Sequence, residues 1–163
     1  MYRVGILTAS DRGARGERED RSGPALAEAI ASLPGAQVVA RAIVPDEQPE
    51  IEAVLRRWVA EGFDLILTTG GTGLSPRDVT PEATRAVIDR EAPGFAEAMR
   101  AASLAITPHA MLSRAIAGLA GRTLIINLPG SPKAARENLM TILPALGHGL
   151  DKLRGDPSEC ATP

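Results

Sequence analysis

The stretch DEQPEIEAVLRRWVAEGFDLILTTGGTG, from Asp46 to Gly73, holds a helix and a buried strand back to back. In its first half Ile51, Val54, Leu55, Trp58 and Val59 fall at i, i+3, i+4, i+7 and i+8, the apolar face of an amphipathic helix. Asp46-Glu47-Gln48-Pro49 marks the start of that helix, since proline is tolerated in a first turn. In the second half, FDLILTT (Phe63–Thr69) is apolar almost throughout, as expected of a parallel strand covered on both faces. Gly70-Gly71-Thr72-Gly73 stops it.

The same alternation repeats on either side. Upstream lie two more strand-like runs, YRVGILTA (Tyr2–Ala9) and QVVARAIV (Gln37–Val44). Between them, eight of the eleven residues from Asp11 to Arg21 are charged, so that segment reads as a solvated loop. Ser22-Gly23-Pro24 then opens a helix with Ser22 as cap, and Pro34-Gly35 ends it. Downstream, Thr80-Pro81-Glu82 is a second cap signature, predicting a helix to about Arg90 and another from Pro93 to about Ile106. Met111–Leu119 reads equally as strand or helix. Arg122–Leu128 (RTLIINL) is a strand ending in Pro129-Gly130-Ser131-Pro132, and a last helix runs to about Leu153. The expectation is one α/β domain over residues 1–154, a three-layer α/β/α arrangement with a mostly parallel sheet, and a disordered tail over 155–163.

Composition narrows the function classes. The chain has 163 residues, and its one cysteine, Cys160, permits neither an internal disulfide nor a cysteine-built zinc site. Eighteen basic against 20 acidic residues give a net charge of -2, which argues against a nucleic-acid binder. Tyr2, Trp58, Phe63 and Phe95 are the only aromatics, too few for a base-stacking platform. No apolar run approaches the roughly 20 residues that cross a bilayer. No secretory signal pattern precedes the first strand, so a cytoplasmic protein away from the membrane is expected.

In an open parallel sheet, ligands bind at the carboxyl ends of the strands. Four loops leave there: Thr8-Ala9-Ser10-Asp11, Pro45-Asp46-Glu47, Thr68–Gly73 and Asn127–Pro132. Glycines let backbone N–H groups approach phosphate oxygens, although GGTG is neither a Walker A loop nor a dinucleotide fingerprint, and a tight turn has the same sequence. Asp46 and Asp78 could jointly hold a Mg²⁺ that bridges phosphates. The bland alternatives are a helix cap for Asp46 and a turn residue paired with Arg77 or Arg85 for Asp78. His109 and His148 have no ligand spacing, and no nucleophile is in evidence. Positioning plus a metal is the chemistry that remains.

Taken together, Thr8-Ala9-Ser10-Asp11, Asp20-Arg21-Ser22-Gly23-Pro24, Pro45-Asp46-Glu47, TTGGTGLSPRDVTPEAT (Thr68–Thr84) and SRAIAGLAGRTLIINLPGSPKA (Ser113–Ala134) resemble the MoaB/Mog family of molybdenum-cofactor biosynthesis proteins. The resemblance implies a three-layer α/β fold and a homotrimer. In the family's adenylyltransferases it implies Mg²⁺ and ATP used to adenylylate molybdopterin, with pyrophosphate released. It implies Asp78 and Asp46 as catalytic, metal-organising carboxylates. It implies substrate-lining roles for Ser10, Asp11, Asp20, Ser22, Gly23, Thr69, Gly70, Gly71, Thr72, Gly73, Ser113, Arg114, Asn127, Pro129, Gly130, Ser131 and Pro132. The charged Asp11–Arg21 segment would then be a lid, and a molybdate-insertion protein a further partner. Within the family two alternatives stay open: a non-catalytic pterin-binding protein of the MoaB type, and a trimerising scaffold.

Overall fold

A computed structural model describes residues 1–160 of the chain. Six strands form one sheet in the order β2-β1-β3-β6-β5-β4: β1 Tyr2–Ala9, β2 Ala36–Val44, β3 Leu65–Thr69, β4 Arg90–Glu91, β5 Ala117–Ala120 and β6 Thr123–Leu128. The first four in that order run parallel, while β5 lies antiparallel to β6 and β4 antiparallel to β5. The sheet is thus mixed and mostly parallel, and the helices flank it.

Alternation along the strands sorts two cores. Val4, Ile6, Leu65, Leu67, Leu124 and Ile126 face one layer, made by α2 (Ser22–Ile30), α5 (Pro93–Leu104) and α6 (Pro132–Leu153). Leu7, Ile66 and Ile125 face the other, where Ile51, Val54, Leu55 and Trp58 of α3 (Gln48–Ala60) meet Ala83 of α4 (Thr80–Arg85). The predicted apolar face of α3 is therefore the buried one, except that Val59 lies at its edge and is only partly covered. Trp58 stacks on Phe63 with ring centroids 5.2 Å apart. A Cβ on Gly5 would come within 2.6 Å of the Trp58 ring, so this strand position admits only glycine without rearrangement.

Several boundaries differ from the sequence expectations. The Asp11–Arg21 segment is not loop throughout: α1 (Asp11–Ala14) forms one turn because the Ser10 hydroxyl accepts from the Gly13 amide. The cap of α2 is not Ser22 but Arg21, and Asp20 accepts the Gly23 amide in its place. Likewise Thr80 lies inside α4 and its side chain caps nothing. That helix stops at Arg85, and Arg90–Glu91 joins the sheet where the last residue of the helix and the link to the next were expected. The ambiguous Met111–Leu119 span divides, with a 3₁₀ turn over Pro108–Leu112 and β5 beginning at Ala117.

At the amino edge of the sheet the start of β1 meets the end of α6. Arg154 donates to Asp64 and to the Met1 carbonyl and lies 4.7 Å over the Tyr2 ring, while the Tyr2 hydroxyl donates to Asp151 at 2.6 Å. Residues 155–160 continue past α6 without regular structure, though the Asp156 amide still bonds back to Asp151; residues 161–163 lie outside the described residues.

Candidate active site

Strand order reverses between β1 and β3, and a cavity of about 660 Å³ opens at their carboxyl ends. Thr8, Ala9 and Ser10 from β1 and Thr69, Gly70 and Gly71 from β3 form its floor. Asp46, Asp78, Ser22 and the Gly130-Ser131-Pro132 turn wall it, with Asp20 and Arg21 beside them.

The floor requires glycine. Gly70 and Gly71 have φ of +90° and +65°, and a Cβ on Gly70 would stand 2.4 Å from the Ala9 carbonyl oxygen. On Gly71 it would stand 2.4 Å from the Thr80 hydroxyl and 3.2 Å from Asp46 Oδ1. That Thr80 hydroxyl is the one buried side-chain polar atom without a partner among the described residues. The opposite wall is tied down by hydroxyls: Ser22 donates to the Gly130 carbonyl at 2.6 Å and Thr69 to the Pro129 carbonyl at 2.7 Å. Ser131 caps the 22-residue α6, so the amino end of a long helix points at the cavity. Asp20 holds the third side by accepting from the Thr8 hydroxyl and the Gly23 amide, each at 3.0 Å.

Asp46 and Asp11 are locked reciprocally: the Asp11 amide donates to Asp46 Oδ2 at 2.9 Å and the Asp46 amide to Asp11 Oδ1 at 3.0 Å. Burial pushes the Asp46 carboxyl above its ordinary value, and the nearby Asp11 and Asp78 charges push it further, against the Asp11 amide bond. The Asp11 carboxyl is held below the usual range by its hydrogen bonds from Arg77 and the Asp46 amide. Arg77 bridges Asp11 and Glu47, so the ion pair foreseen for Asp78 goes elsewhere; Arg85 pairs with Glu91. Asp78 instead accepts the Ser75 amide at 3.0 Å. Nor does Asp46 cap α3, whose cap position is Glu47.

The remaining predicted residues separate into groups. Thr72, Gly73, Ser113 and Pro129 border a second hollow of about 280 Å³ on the far side of the glycine loop. Asn127 is fully buried beneath the site, donating to Thr68 and Thr84 and accepting from Ile116. Arg114 grips the Gly73 and Asp78 carbonyls and borders neither hollow. Asp11 and Gly23 do not line the cavity, but their amides bond to Asp46 and Asp20, which do. Six cavity residues were absent from the sequence-derived set: Thr8, Ala9, Gly13 and Glu19, and the two cations Arg18 and Arg21. The signal for the two cations was the charged loop itself, which does not tell which of its arginines face inward.

Among the described residues, no three His, Cys, Asp or Glu side chains converge as a metal cage. Mg²⁺ needs no such cage, since one or two carboxylates plus substrate phosphates suffice. Two oxygen-donor carboxylates, near enough that the charge of Asp78 raises the Asp46 carboxyl and with no cationic partner bonded to either, fit that ion.

Residues 5–148 match the family described as a probable molybdopterin binding domain. The chain belongs to the MoaB/Mog family. Its likeness to molybdopterin adenylyltransferase of Helicobacter pylori is 44% identity over 155 residues, covering 94% of this chain and 88% of that protein. The crystal structure of MoaB from Thermus thermophilus is 58% identical and superposes with a TM-score of 0.91, covering 98% of this chain and 100% of that one. Gephyrin of Dictyostelium discoideum is 45% identical over 163 residues, and the chain spans only 23% of its length.

Proposed function

We propose that this MoaB/Mog protein is a molybdopterin adenylyltransferase. The observation that carries the reading is the pair Asp46 and Asp78, set at a glycine-floored cavity in which neither carboxylate has a cationic side-chain partner among the described residues. In such a transfer a phosphate oxygen of molybdopterin attacks the α-phosphorus of ATP, the bond to the β-phosphate breaks, and pyrophosphate leaves. Little covalent work falls to the protein; it must align two substrates and neutralise charge. Two hollows that meet at the Gly71–Gly73 loop suit two substrates that meet at their phosphates. Gly70 and Gly71 bring backbone close to the anions, the capped start of α6 adds its dipole, and Arg18 and Arg21 add cations at the mouth. Asp46 and Asp78 would hold Mg²⁺, which supplies charge neutralisation on the transferring phosphate.

A second reading, a MoaB-type protein that binds the pterin without adenylylating it, follows only from the name MoaB of the 58% identical Thermus structure, itself described as a biosynthesis enzyme. Incubating the protein with molybdopterin and Mg-ATP separates the two. Stoichiometric pyrophosphate and adenylylated molybdopterin support the transferase; bound pterin with no pyrophosphate supports the carrier.

A further inference from the structure

We propose that Arg114 is a positioning residue that fixes Asp78, and that it does not itself meet substrate. The proposal rests on the adenylyl-transfer reading for its kinetic consequences, but its structural core does not. Arg114 donates through Nε to the Gly73 carbonyl at 2.8 Å and through Nη2 to the Asp78 carbonyl at 2.7 Å. Those two carbonyls are the ends of the loop Gly73-Leu74-Ser75-Pro76-Arg77-Asp78. A planar guanidinium thus sets the span of the loop that bears the carboxylate. Its other edge pairs with both oxygens of Glu82, in the first turn of α4, which anchors the guanidinium to a helix. The Arg114 amide also donates to the Thr72 carbonyl at 2.8 Å, just before the loop.

The carboxylate's aim depends on this span. Within the loop the Ser75 amide donates to Asp78 Oδ2 at 3.0 Å and the Asp78 amide donates to the Ser75 carbonyl at 2.9 Å. If the ends of the loop drift, both bonds loosen and Asp78 swings. Four of the five guanidinium donors are committed to protein acceptors, and Arg114 borders neither hollow, so little of the group is left for a phosphate. The hydrogen bonds from Arg114 also hold the Glu82 carboxyl below its ordinary value, so the pair stays charged at neutral pH. Lysine keeps the charge but cannot span two carbonyls and a carboxylate at once.

Arg114→Lys and Glu82→Gln are the test, read by steady-state kinetics and by amide exchange of the apo protein. Arg114→Lys should lower kcat by about 10²-fold with KM for ATP and molybdopterin little changed, the signature of a misplaced reacting group. In the same variant the Ser75 and Asp78 amides should exchange faster, on the order of tenfold, while strand amides of β1 and β3 keep their protection. Glu82→Gln leaves the carbonyl bonds and should give a smaller drop with the same kinetic split. A raised KM with kcat preserved would make Arg114 a substrate-binding group, and unaltered exchange at Ser75 and Asp78 would remove the clamp; either overturns the proposal. A wild-type protein that forms no pyrophosphate would sink the transferase reading alone, because the exchange comparison still decides for or against the clamp.

Discussion

Asp78 and Asp46 are held differently although both are carboxylates at one cavity. Asp78 is held by a single backbone amide, so Asn can keep its shape and its bond while losing the charge. Asp78→Asn should therefore fold normally and lose on the order of 10²-fold or more in kcat, about 2.7 kcal/mol of transition-state stabilisation, measured by single-turnover conversion with thermal unfolding as control. Asp46 carries a stability penalty as well. Its pKa is raised on folding, chiefly by burial, so its contribution favours the fold below the unfolded value and is lost as pH rises through the folded one. Asp46→Asn should thus raise the melting temperature at neutral pH while lowering transfer activity, and the stability gain should shrink as pH falls into the carboxylate range. A variant less stable than wild type at pH 7 would contradict that assignment. Both aspartates were legible in the sequence because each stands between a strand end and a helix start. Thr80 was not: its Thr-Pro-Glu pattern reads as a cap, yet the helix begins one residue earlier than such a cap would place it and the hydroxyl is packed under Gly71. Nor does anything in a sequence tell that Asn127 spends its amide on Thr68 and Thr84.

At the scale of elements, the long periodic pieces were readable and the short ones were not. α3 and β3 declare themselves by spacing and by unbroken apolarity, because burial on one face or two dictates the pattern. α1 and β4, of four and two residues, exist through tertiary contacts: Ser10 capping Gly13, and Arg90 pairing with Leu119. Close packing at Gly5 is an element-level property that composition hides. Gly5→Ala pushes a methyl into the Trp58 ring, which is pinned by Phe63, and should cost about 1–3 kcal/mol in denaturant unfolding. The segment from Arg15 to Glu19 is exposed throughout and carries Arg18 and Glu19 at the cavity mouth. If it closes over substrate, its amides should gain protection from exchange when nucleotide and pterin bind together, whereas equal exchange in both states would make it a passive loop.

For the whole molecule, the alternation of strand and helix made the layered α/β architecture legible, since a sheet buried on both faces must be covered twice. The antiparallel turn of β5 and β4 at one edge was not, because four-residue and two-residue strands leave no periodic trace. Assembly is a further property of the whole. Ile106, Met111 and Leu112 are exposed at 63%, 70% and 48%, an apolar skin beside α5. Light scattering should give a trimer of the 17.0 kDa chain, and a monomer at micromolar concentration would remove that expectation.

The meeting of Met1, Tyr2 and Arg154 at the amino edge of the sheet has an architectural consequence. The start of β1 and the end of α6 share one pole, and Asp46 and Asp78 occupy the other. A cassette wired in this way can be spliced into a longer chain, upstream or downstream, with both junctions pointing away from the cavity. Dictyostelium gephyrin matches this chain over 23% of its own length. The same wiring makes that pole the place for a tether or reporter that leaves the cavity mouth free.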